Sequence, residues 1–525
     1  MKKFFVLLVM LMMLTATAAA QAKKILYVPI DSRPCNYEQV IQVAEKLGYE
    51  ILTPPAEFIG TRTNYGDVEK MWQWLDENAL QADAAVISTD AMIYGSLVGS
   101  RMHALSAQEI LSRAKRFETF HEKFPYLPIY AFGTIMRTPR SASASSAEPE
   151  YYKTYGGKIF EYTALLDKQE TEKLSGGERR KLKKFKADIP KEYLDDWFER
   201  RRKNFDANKY FIALTRAGIF GYFLLGCDDS AFFSQTHMES RYLAELASDL
   251  GKTVVQVTSG ADELGMLMVA RAINYDKNFT PFVSVEYNVG TGAKTFPSFS
   301  NEPIGLSIDA AIIAAGGLKI PAHERADLVV AVNTRENGKT FASSDTKRNK
   351  LRQRGDIKTF MTILKDFTAK NYPVAVADIS FSNGADNALM NQLKVNDLQY
   401  KIRAYGGWNT ATNSSGFLIG AGVLTPFMSD KDVAELLTTR YLDDWIYQAN
   451  VRNEVMNASY GMTGNGNPLN LDEKLSACEK ILNERMKSFI AENLLLPRQW
   501  RLEDLKVSLP WQRTFECYPQ FKFVV

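Results

Sequence analysis

The sequence is poor in the residues on which disulfide scaffolds and transition-metal sites depend. Only 4 cysteines and 4 histidines occur among its 525 residues. The cysteines are too few for a disulfide framework, and their spacing fits no zinc motif, although Cys478 and Cys517 are candidates for one disulfide. No histidine has a second histidine at the spacing of helical zinc ligands. The sequence therefore predicts no metal site and no cofactor.

Net charge is also small, which argues against a strongly acidic partner. The chain has 64 basic and 61 acidic residues, a formal net charge of +3. This balance gives no reason to expect a nucleic-acid or membrane-surface partner. A basic run occurs within residues 141–210, but acidic residues are interleaved with it, so we interpret the segment as a solvated helical insertion.

The first residues have the pattern of a secretory signal peptide. "MKKFFVLLVMLMMLTATAAAQAKK" combines two lysines, an apolar run from Phe4 to Leu14 and small residues suited to signal peptidase. The run is too short for a membrane span, so we expect no stable membrane insertion of the mature chain. We expect residues 1–22 to be removed and the mature protein to be secreted or periplasmic.

Short apolar runs recur along the mature chain, each ending in polar residues and followed by a helical pattern. Their continuous hydrophobicity is typical of strands covered on both faces in parallel α/β proteins. Eight units predict a (β/α)8 barrel over residues 23–428 with the insertion at 141–210, followed by a mainly helical C-terminal region, 429–525. A ninth run, 281–289, is interpreted as an added hairpin; the alternative fold is a doubly wound open sheet. The eight runs are residues 25–31, 84–90, 128–135, 222–229, 254–263, 327–333, 373–380 and 402–409.

Nearly every predicted strand ends in a residue that can bind or catalyse. Ligands bind at this edge both in barrels and in open parallel sheets. A single Asp or Asn there could cap a helix, but capping explains less well eight coincident cases that include arginine and tryptophan. Arg137, Asn333 and Arg335 also follow predicted strands. The candidates for substrate binding are Asp31, Arg33, Asp90, Arg101, Asp262, Glu263, Asp378, Trp408 and Asn409.

The stretch "GYFLLGCDDSAFF" carries a buried-strand pattern directly into two adjacent carboxylates, Asp228 and Asp229. Both cannot titrate normally in a half-buried site, so one pKa is expected to rise. One protonated and one ionised carboxyl are what glycoside hydrolysis needs. We therefore predict Asp228 and Asp229 as the catalytic residues, with Asp229 as general acid and a carbohydrate as substrate.

Other arrangements and functions remain open. Asp262 and Glu263 form a second adjacent acidic pair, and Asp378 could instead be a nucleophile opposite Asp229, about 5.5 Å away as in retaining glycosidases. A non-catalytic glycan-binding protein is the alternative from another class, and a hydrolase with an Asp-rich metal site is a third. A bell-shaped pH–rate profile would distinguish an enzyme from a binding protein.

Five motifs resemble the landmarks of a bacterial family catalogued only as a domain of unknown function, whose opening signature reads roughly Pro-Leu-Asp-x-Arg-Pro. The resemblance covers about residues 25–510 and implies one family-long unit, with Ile30 where the family has Leu. It implies no activity. The motifs are "VPIDSRPCNYEQV", "ISTDAMIYGSLVGSR", "LLGCDDS", "SGADELGMLMVAR" and "YGGWNTATNSSG".

The aspartate pair after the fourth predicted strand is also similar to the acidic pair of barrel N-acetylhexosaminidases. This resemblance, of two residues and a strand position, implies a retaining, substrate-assisted β-N-acetylhexosaminidase. In such an enzyme the acetamido oxygen of the sugar is the nucleophile, Asp229 is the acid and Asp228 orients the acetamido group. Trp408 would then stack on a sugar face. The residues expected to hold hydroxyls are Arg33, Asp90, Arg101 and Asn409.

Overall fold

The computed structural model describes residues 22–140, 147–461 and 470–524. The expected signal peptide lies outside the described residues except for residue 22. Within them the chain forms two open, fully parallel sheets, which confirms the α/β class expected from the sequence. A helical region and an antiparallel strand pair follow at the C-terminal end.

The first sheet has six strands in the order β2-β1-β3-β4-β5-β6. Both faces of its strands are buried: Ile25 and Tyr27 of β1 belong to one hydrophobic cluster, while Leu26 and Val28 belong to another. Burial on alternate faces explains the continuous apolar runs. The strands are β1 (Lys24–Val28), β2 (Glu50–Leu52), β3 (Ala84–Ser88), β4 (Ile129–Ile135), β5 (Tyr222–Cys227) and β6 (Val255–Ser259).

The second sheet has five strands in the order β13-β11-β9-β7-β8, and a short parallel pair, β10 and β12, lies apart from it. Its central strands share a hydrophobic cluster with Ile25 and Tyr27 of the first sheet, so one core runs through both sheets. The strands are β7 (Phe282–Tyr287), β8 (Leu318–Lys319), β9 (Leu328–Val332), β10 (Phe341–Ala342), β11 (Val374–Ala377), β12 (Phe381–Ser382) and β13 (Ala404–Gly406).

The expected (β/α)8 barrel is not formed. All eight predicted runs contain strands, but the first five belong to the first sheet and the last three to the second. Residues 281–289, expected to be an added hairpin, instead contain β7, which pairs in parallel with β8 and β9. Strands of barrels and of doubly wound sheets are covered on both faces alike, so hydrophobicity alone does not distinguish the two folds. Both sheets are open, as in the alternative expected from the sequence, but the described residues form two such sheets rather than one.

Helices cover both faces of the two sheets. Three of them, α6 to α8, stand between β4 and β5 and pack around the buried Trp197. The helices before β7 are α1 (Glu38–Glu45), α2 (Val68–Asn78), α3 (Thr89–Tyr94), α4 (Leu97–Met102), α5 (Ala107–Lys123), α6 (Tyr152–Thr171), α7 (Gly176–Asp188), α8 (Lys191–Arg216), α9 (Gln235–Leu246) and α10 (Leu264–Asp276). Those of the second sheet are α11 (Ile304–Ala314), α12 (Gly355–Ala369), α13 (Asn387–Val395) and α14 (Ala411–Gly422).

The C-terminal region consists of helices and one antiparallel strand pair. A π-helical segment, Tyr441–Val451, joins α15 to α16. The proposed Cys478–Cys517 disulfide is not formed, because all four cysteines are free, buried thiols. The elements are α15 (Asp430–Arg440), α16 (Arg452–Gly461), α17 (Leu475–Asn493), β14 (Arg501–Ser508) and β15 (Tyr518–Val524).

The two sheets meet through α10 and α14, which pack directly against each other. Two glycines of α14 allow this close approach: a Cβ at Gly416 would lie 2.4 Å from Cγ of Glu263, and one at Gly420 would lie 3.0 Å from Cγ of Met266. Glu263 follows β6 and α14 follows β13, so the contact brings together the carboxyl ends of a strand from each sheet. Ligands of parallel sheets bind at such ends.

Candidate active site between the two sheets

Arg33 links two buried carboxylates at the carboxyl edge of the first sheet. Its Nε donates to Oδ2 of Asp31 at 3.0 Å, and its Nη2 donates to Oδ1 of Asp262 at 2.6 Å. All three side chains are buried. Burial raises the pKa of Asp262 although Arg33 opposes the shift. Arg33 therefore ties the loop after β1 to the loop after β6 through charge-assisted hydrogen bonds.

The second sheet contributes to the same carboxylate. Oδ2 of Asp262 accepts hydrogen bonds from Nδ2 of Asn409 at 2.7 Å and from Nδ2 of Asn413 at 3.3 Å. Asn409 has a φ of 57°, in the left-handed region that asparagine tolerates better than most residues. Four of the predicted residues, Asp31, Arg33, Asp262 and Asn409, thus meet at one point between the two sheets.

The C-terminal region places an aromatic ring over this cluster. The ring centroid of Trp511 lies 5.4 Å from Cζ of Arg33, and its Nε1 donates to Oγ of Ser32 at 2.9 Å. Trp511 has a φ of 60°, which is strained for a bulky residue. Sequence reasoning missed Trp511, because no local signal connects residues that are 479 positions apart.

The adjacent aspartates have different arginine partners. Arg101 donates to Oδ2 of Asp228 through both Nε and Nη2, the former at 3.0 Å. Nη1 of Arg137 donates to Oδ2 of Asp229 at 3.0 Å. Asp229 has a φ of 31°, so the chain turns at this residue. The turn explains how two neighbouring carboxylates can reach separate guanidinium groups.

Asp229 is the more accessible of the two carboxylates. Its side chain is 32% exposed, against 8% for Asp228. Partial burial raises the pKa of Asp229 and the charge of Asp228 raises it further, whereas Arg137 and Arg101 oppose the shift. The expected rise in one pKa of the pair is therefore present, at the residue that a ligand can reach.

Asp90 is held beside this pair by the end of β4. The N–H of Thr134 donates to Oδ2 of Asp90 at 2.7 Å, and the Thr134 hydroxyl donates to Oδ1 at 3.0 Å. Burial raises the pKa of Asp90 to about 7, and Asp228 contributes to the shift in the same direction. Asp90 is therefore a second carboxyl that can hold a proton near neutral pH.

The insertion and the following helix fix the loop that carries the aspartates. Oδ2 of Asp167, on α6, accepts the N–H of Ser234 at 3.1 Å and lies 2.6 Å from Nδ1 of His237. Arg241 completes the group with a bond to Oδ1 of Asp167 at 2.7 Å. The pairing of His237 with Asp167 could not be found from sequence spacing, since the two lie 70 residues apart.

Glu263 is buried beside Asp262 with one oxygen unpaired. Its Oε2 has no hydrogen-bond partner among the residues that the structure describes. Burial raises the pKa of Glu263 to about 8. Gly416 and Gly260 leave room for this side chain, and Gly260 has a φ of 107°, so a side chain there would also be strained. A buried, largely protonated carboxyl is the result.

Glu263→Gln is expected to remove a pH-dependent part of the stability. The folded protein binds this proton more tightly than the unfolded chain, so the contribution is full below about pH 4.5 and is lost as pH rises through about 8. One pKa unit corresponds to about 1.4 kcal/mol. The free energy of unfolding of the wild type should therefore fall by a few kcal/mol, on the order of 1.4 kcal/mol per pH unit, as pH rises from about 4.5 to about 8 because of this group. Urea unfolding at several pH values would measure the difference between wild type and variant. The exposed Glu324→Gln is the control, and identical pH dependence in wild type and Glu263→Gln would contradict the expectation.

Asp378 and Trp408 do not have the places expected of them. Oδ1 of Asp378 accepts from Asn333 at 2.9 Å and its Oδ2 accepts from the Tyr405 hydroxyl at 2.8 Å, both within the second sheet. Asp378 was expected to face Asp229 across the site because both were assigned to one barrel. The two residues instead follow strands of different sheets. Trp408 is only 5% exposed, so its ring offers little surface to a sugar.

A cavity of about 850 Å³ lies between α8 and α9, and its lining includes neither Asp228 nor Asp229. Its lining includes Arg201, whose Nη1 and Nη2 donate to the carbonyls of Arg137 and Met136. The cavity therefore borders Arg201, which fixes the backbone at Arg137, and does not border the carboxylates of Asp228 and Asp229. In the described ranges, no group of three or more histidine, cysteine, aspartate or glutamate side chains is arranged to hold a metal ion.

The fold and site define an α/β protein with an arginine–carboxylate cluster between two parallel sheets. Residues 25–519 match the family described as "Protein of unknown function (DUF4127)", so the chain belongs to that family. This confirms the expectation that the chain belongs to a family of unknown function. A search of curated proteins finds no match to the chain.

Two solved structures of the Ca. Korarchaeum cryptofilum "dinucleotide forming Acetyl-coenzyme A synthetase 1" show a distant likeness. The apo form and the complex with phosphate and ADP are each 11% identical, and the match covers 79% of this chain and 97% of theirs. Their TM-scores of 0.16 and 0.15 are too low to support any conclusion. Over the described residues, no helix has both the length and the apolar character needed to cross a bilayer.

Proposed function

We propose that this protein is an exported glycoside hydrolase that acts on β-N-acetylhexosaminides, with Asp228 and Asp229 at its catalytic centre. The observation that carries the proposal is the state of Asp229: its side chain is 32% exposed, its pKa is raised, and a turn separates it from its neighbour. A carboxyl that is accessible and holds its proton more tightly than usual fits a general acid. Export remains an expectation from residues 1–22.

In the proposed first step the acetamido oxygen of the sugar attacks the anomeric carbon while the bond to the leaving oxygen breaks. Asp229 gives its proton to that oxygen, and Asp228, fixed by Arg101, accepts a hydrogen bond from the acetamido N–H. Water then attacks the anomeric carbon of the resulting oxazolinium ion, the bond from that carbon to the acetamido oxygen breaks, and Asp229 takes a proton from the water. Two inversions give net retention.

The remaining residues divide into support and substrate contacts. Arg33 and Asp31 are buried and already satisfied by each other and by Asp262, so they are better suited to fixing the site than to holding sugar hydroxyls. Asp90 is likewise buried and accepts hydrogen bonds from Thr134 at both oxygens, so it is also better suited to supporting the site. The half-buried Trp511 replaces the buried Trp408 as the ring proposed to stack on a sugar.

A second candidate is a non-catalytic glycan-binding protein. The 3.0 Å contact between Arg137 and Asp229 favours it, because a guanidinium beside a carboxyl stabilises the ionised form, which has no proton to give. The two candidates differ in the protonation state of Asp229 once a substrate is bound. A hydrolase needs burial and the charge of Asp228 to raise the pKa of Asp229 more than Arg137 lowers it. Kinetics settle this question more directly than geometry does.

The test is release of 4-nitrophenol from matched aryl glycosides. We expect turnover of the N-acetyl-β-glucosaminide and N-acetyl-β-galactosaminide, no turnover of the β-glucoside, and a bell-shaped dependence of kcat/KM on pH. Binding of N-acetylglucosamine without turnover of any glycoside would favour the binding protein. Turnover confined to sugars without an acetamido group would exclude the substrate-assisted mechanism, and neither turnover nor binding would exclude both candidates.

A further inference from the structure

A strongly basic loop lies at the carboxyl edge of the second sheet, apart from the aspartate pair. Residues 333–354 join β9 to α12 and contain seven basic and two acidic residues. The loop follows the middle strand of its sheet and so emerges where ligands of parallel sheets bind. Nothing in the proposed hydrolysis uses it.

Arg335 in this loop forms no direct ion pair among the described residues, although Asp356 and Asp386 are close enough to attract its charge. Its Cζ lies 4.8 Å from the ring centroid of Phe341 and 5.4 Å from that of Phe381. Its Nη1 atom is buried, and this atom has no hydrogen-bond partner among the described residues. Burial lowers the pKa of Arg335, and the positive charge of Arg354 lowers it further.

The neighbouring arginines, in contrast, are neutralised within the protein. Arg348 is paired with Asp345. Arg354 is paired with Asp386 and, at 3.2 Å, with Asp356. Arg335 is therefore the arginine of this group that has no direct ion pair among the described residues. A partly buried cation beside like charges is costly unless an anion joins it.

We propose that Arg335 is the centre of a binding site for a tetrahedral oxyanion, the sulfate or phosphate group of a larger ligand. The two phenylalanine rings hold the planar guanidinium, which leaves its N–H groups for two parallel hydrogen bonds to one oxyanion. Arg348 and Arg354 lie beside the site but are already held in ion pairs. The site does not depend on the proposed hydrolysis.

Loop contacts connect this site to the aspartates. The hydroxyl oxygen of Thr340, next to Phe341, accepts the N–H of Ser298 at 2.9 Å. The carbonyl of Phe299 accepts the N–H of Ser230, the residue after Asp229, at 3.1 Å. One segment, residues 298–299, therefore touches the loops of both sites. A single ligand with an anionic group can engage both if the proposed function also holds.

Calorimetric titration with inorganic phosphate and with inorganic sulfate at low ionic strength tests the site. The wild type is expected to bind with a Kd on the order of 1 mM. Arg335→Gln should weaken binding by at least about 10-fold, and Arg335→Lys should give an intermediate loss, because lysine keeps the charge but not the fork. Arg352→Gln is the matched control: Arg352 lies on the same loop and is exposed, and its substitution should change Kd by less than about 2-fold.

The outcomes separate the two ligand sources and the failures. Phosphate binding that tightens as its second proton leaves, near pH 6 to 7, indicates a phosphate ester, whereas tighter binding of sulfate at all pH values indicates a sulfate ester. No measurable binding of either ion at about 50-fold above the expected Kd overturns the site. Equal weakening in Arg335→Gln and Arg352→Gln also overturns it, because that result means attraction to the whole loop. An unchanged Tm of Arg335→Gln shows that a loss of binding is not a loss of folding.

Discussion

Asp229→Asn is expected to lower kcat on an N-acetyl-β-hexosaminide by at least about 100-fold, with little change in KM. Asparagine has nearly the shape of aspartate but has no acidic proton for the leaving oxygen. The effect on kcat should dominate because the proton transfer belongs to the transition state, whereas the sugar still occupies the site. Steady-state kinetics with 4-nitrophenyl substrates measures both constants.

The leaving group provides the decisive control for this variant. A 2,4-dinitrophenyl leaving group departs without protonation, so Asp229→Asn should retain much more of its activity on that substrate. Asp249→Asn, at an exposed aspartate paired with Arg216, should leave both activities unchanged. The comparison is made on kcat/KM, which reports the step in which the leaving group departs and not the later attack of water. Equal losses of kcat/KM on the two leaving groups would remove the general-acid role from Asp229, and unchanged kcat and kcat/KM would remove it from the site altogether.

The strands were predictable because each is short, apolar and buried on both faces. The eight runs beginning at residue 25 all contain strands, and residues 281–289 contain a ninth in the same orientation. Their arrangement was not predictable from hydrophobicity, since a barrel and two open sheets bury strands equally. The number of apolar runs does carry information, because nine runs fit two sheets more easily than an eight-stranded barrel.

The residues of the site were predictable in type and position along each strand, but their partners were not. Asp31, Asp228 and Asp262 were identified because each follows an apolar run. The pairing of Arg33 with Asp262 joins residues 229 positions apart, and that of Arg101 with Asp228 joins residues 127 apart. Such pairs depend on strand order, which the sequence did not reveal.

Backbone strain marks the same region and could not be read from the sequence either. Positive φ values occur at Asp229, Phe299, Asn409 and Trp511, all of which lie in the loops around the cluster. Strained conformations persist only where the surrounding structure fixes them, and they concentrate at functional sites. Positive φ values also occur at non-glycine residues away from the cluster, such as Asn278, Asn371 and Asp397, so the backbone alone does not mark this junction as functional.

Arg33→Met is expected to reduce the free energy of unfolding by about 3–5 kcal/mol, the largest stability effect that the structure indicates. Methionine keeps much of the apolar length of the side chain but leaves Asp31 and Asp262 buried without their shared cation. Urea unfolding of wild type and variant measures the loss. The loss should shrink as pH falls through the raised pKa of Asp262, because protonation removes a buried charge that has lost its partner.

Arg216→Met is the matched control for this change. Arg216 also makes two hydrogen bonds to one aspartate, Asp249, at 2.8 and 2.7 Å, but the two side chains are 40% and 58% exposed. Water replaces the lost partner there, so the expected cost is below about 1 kcal/mol. Similar costs for the two variants would mean that Arg33 is not the tie between the loops of β1 and β6. A much larger cost at Arg33 would show that the buried arginine and its two aspartates hold the loops after β1 and β6 together. Apolar packing alone would not need such a buried group of charges.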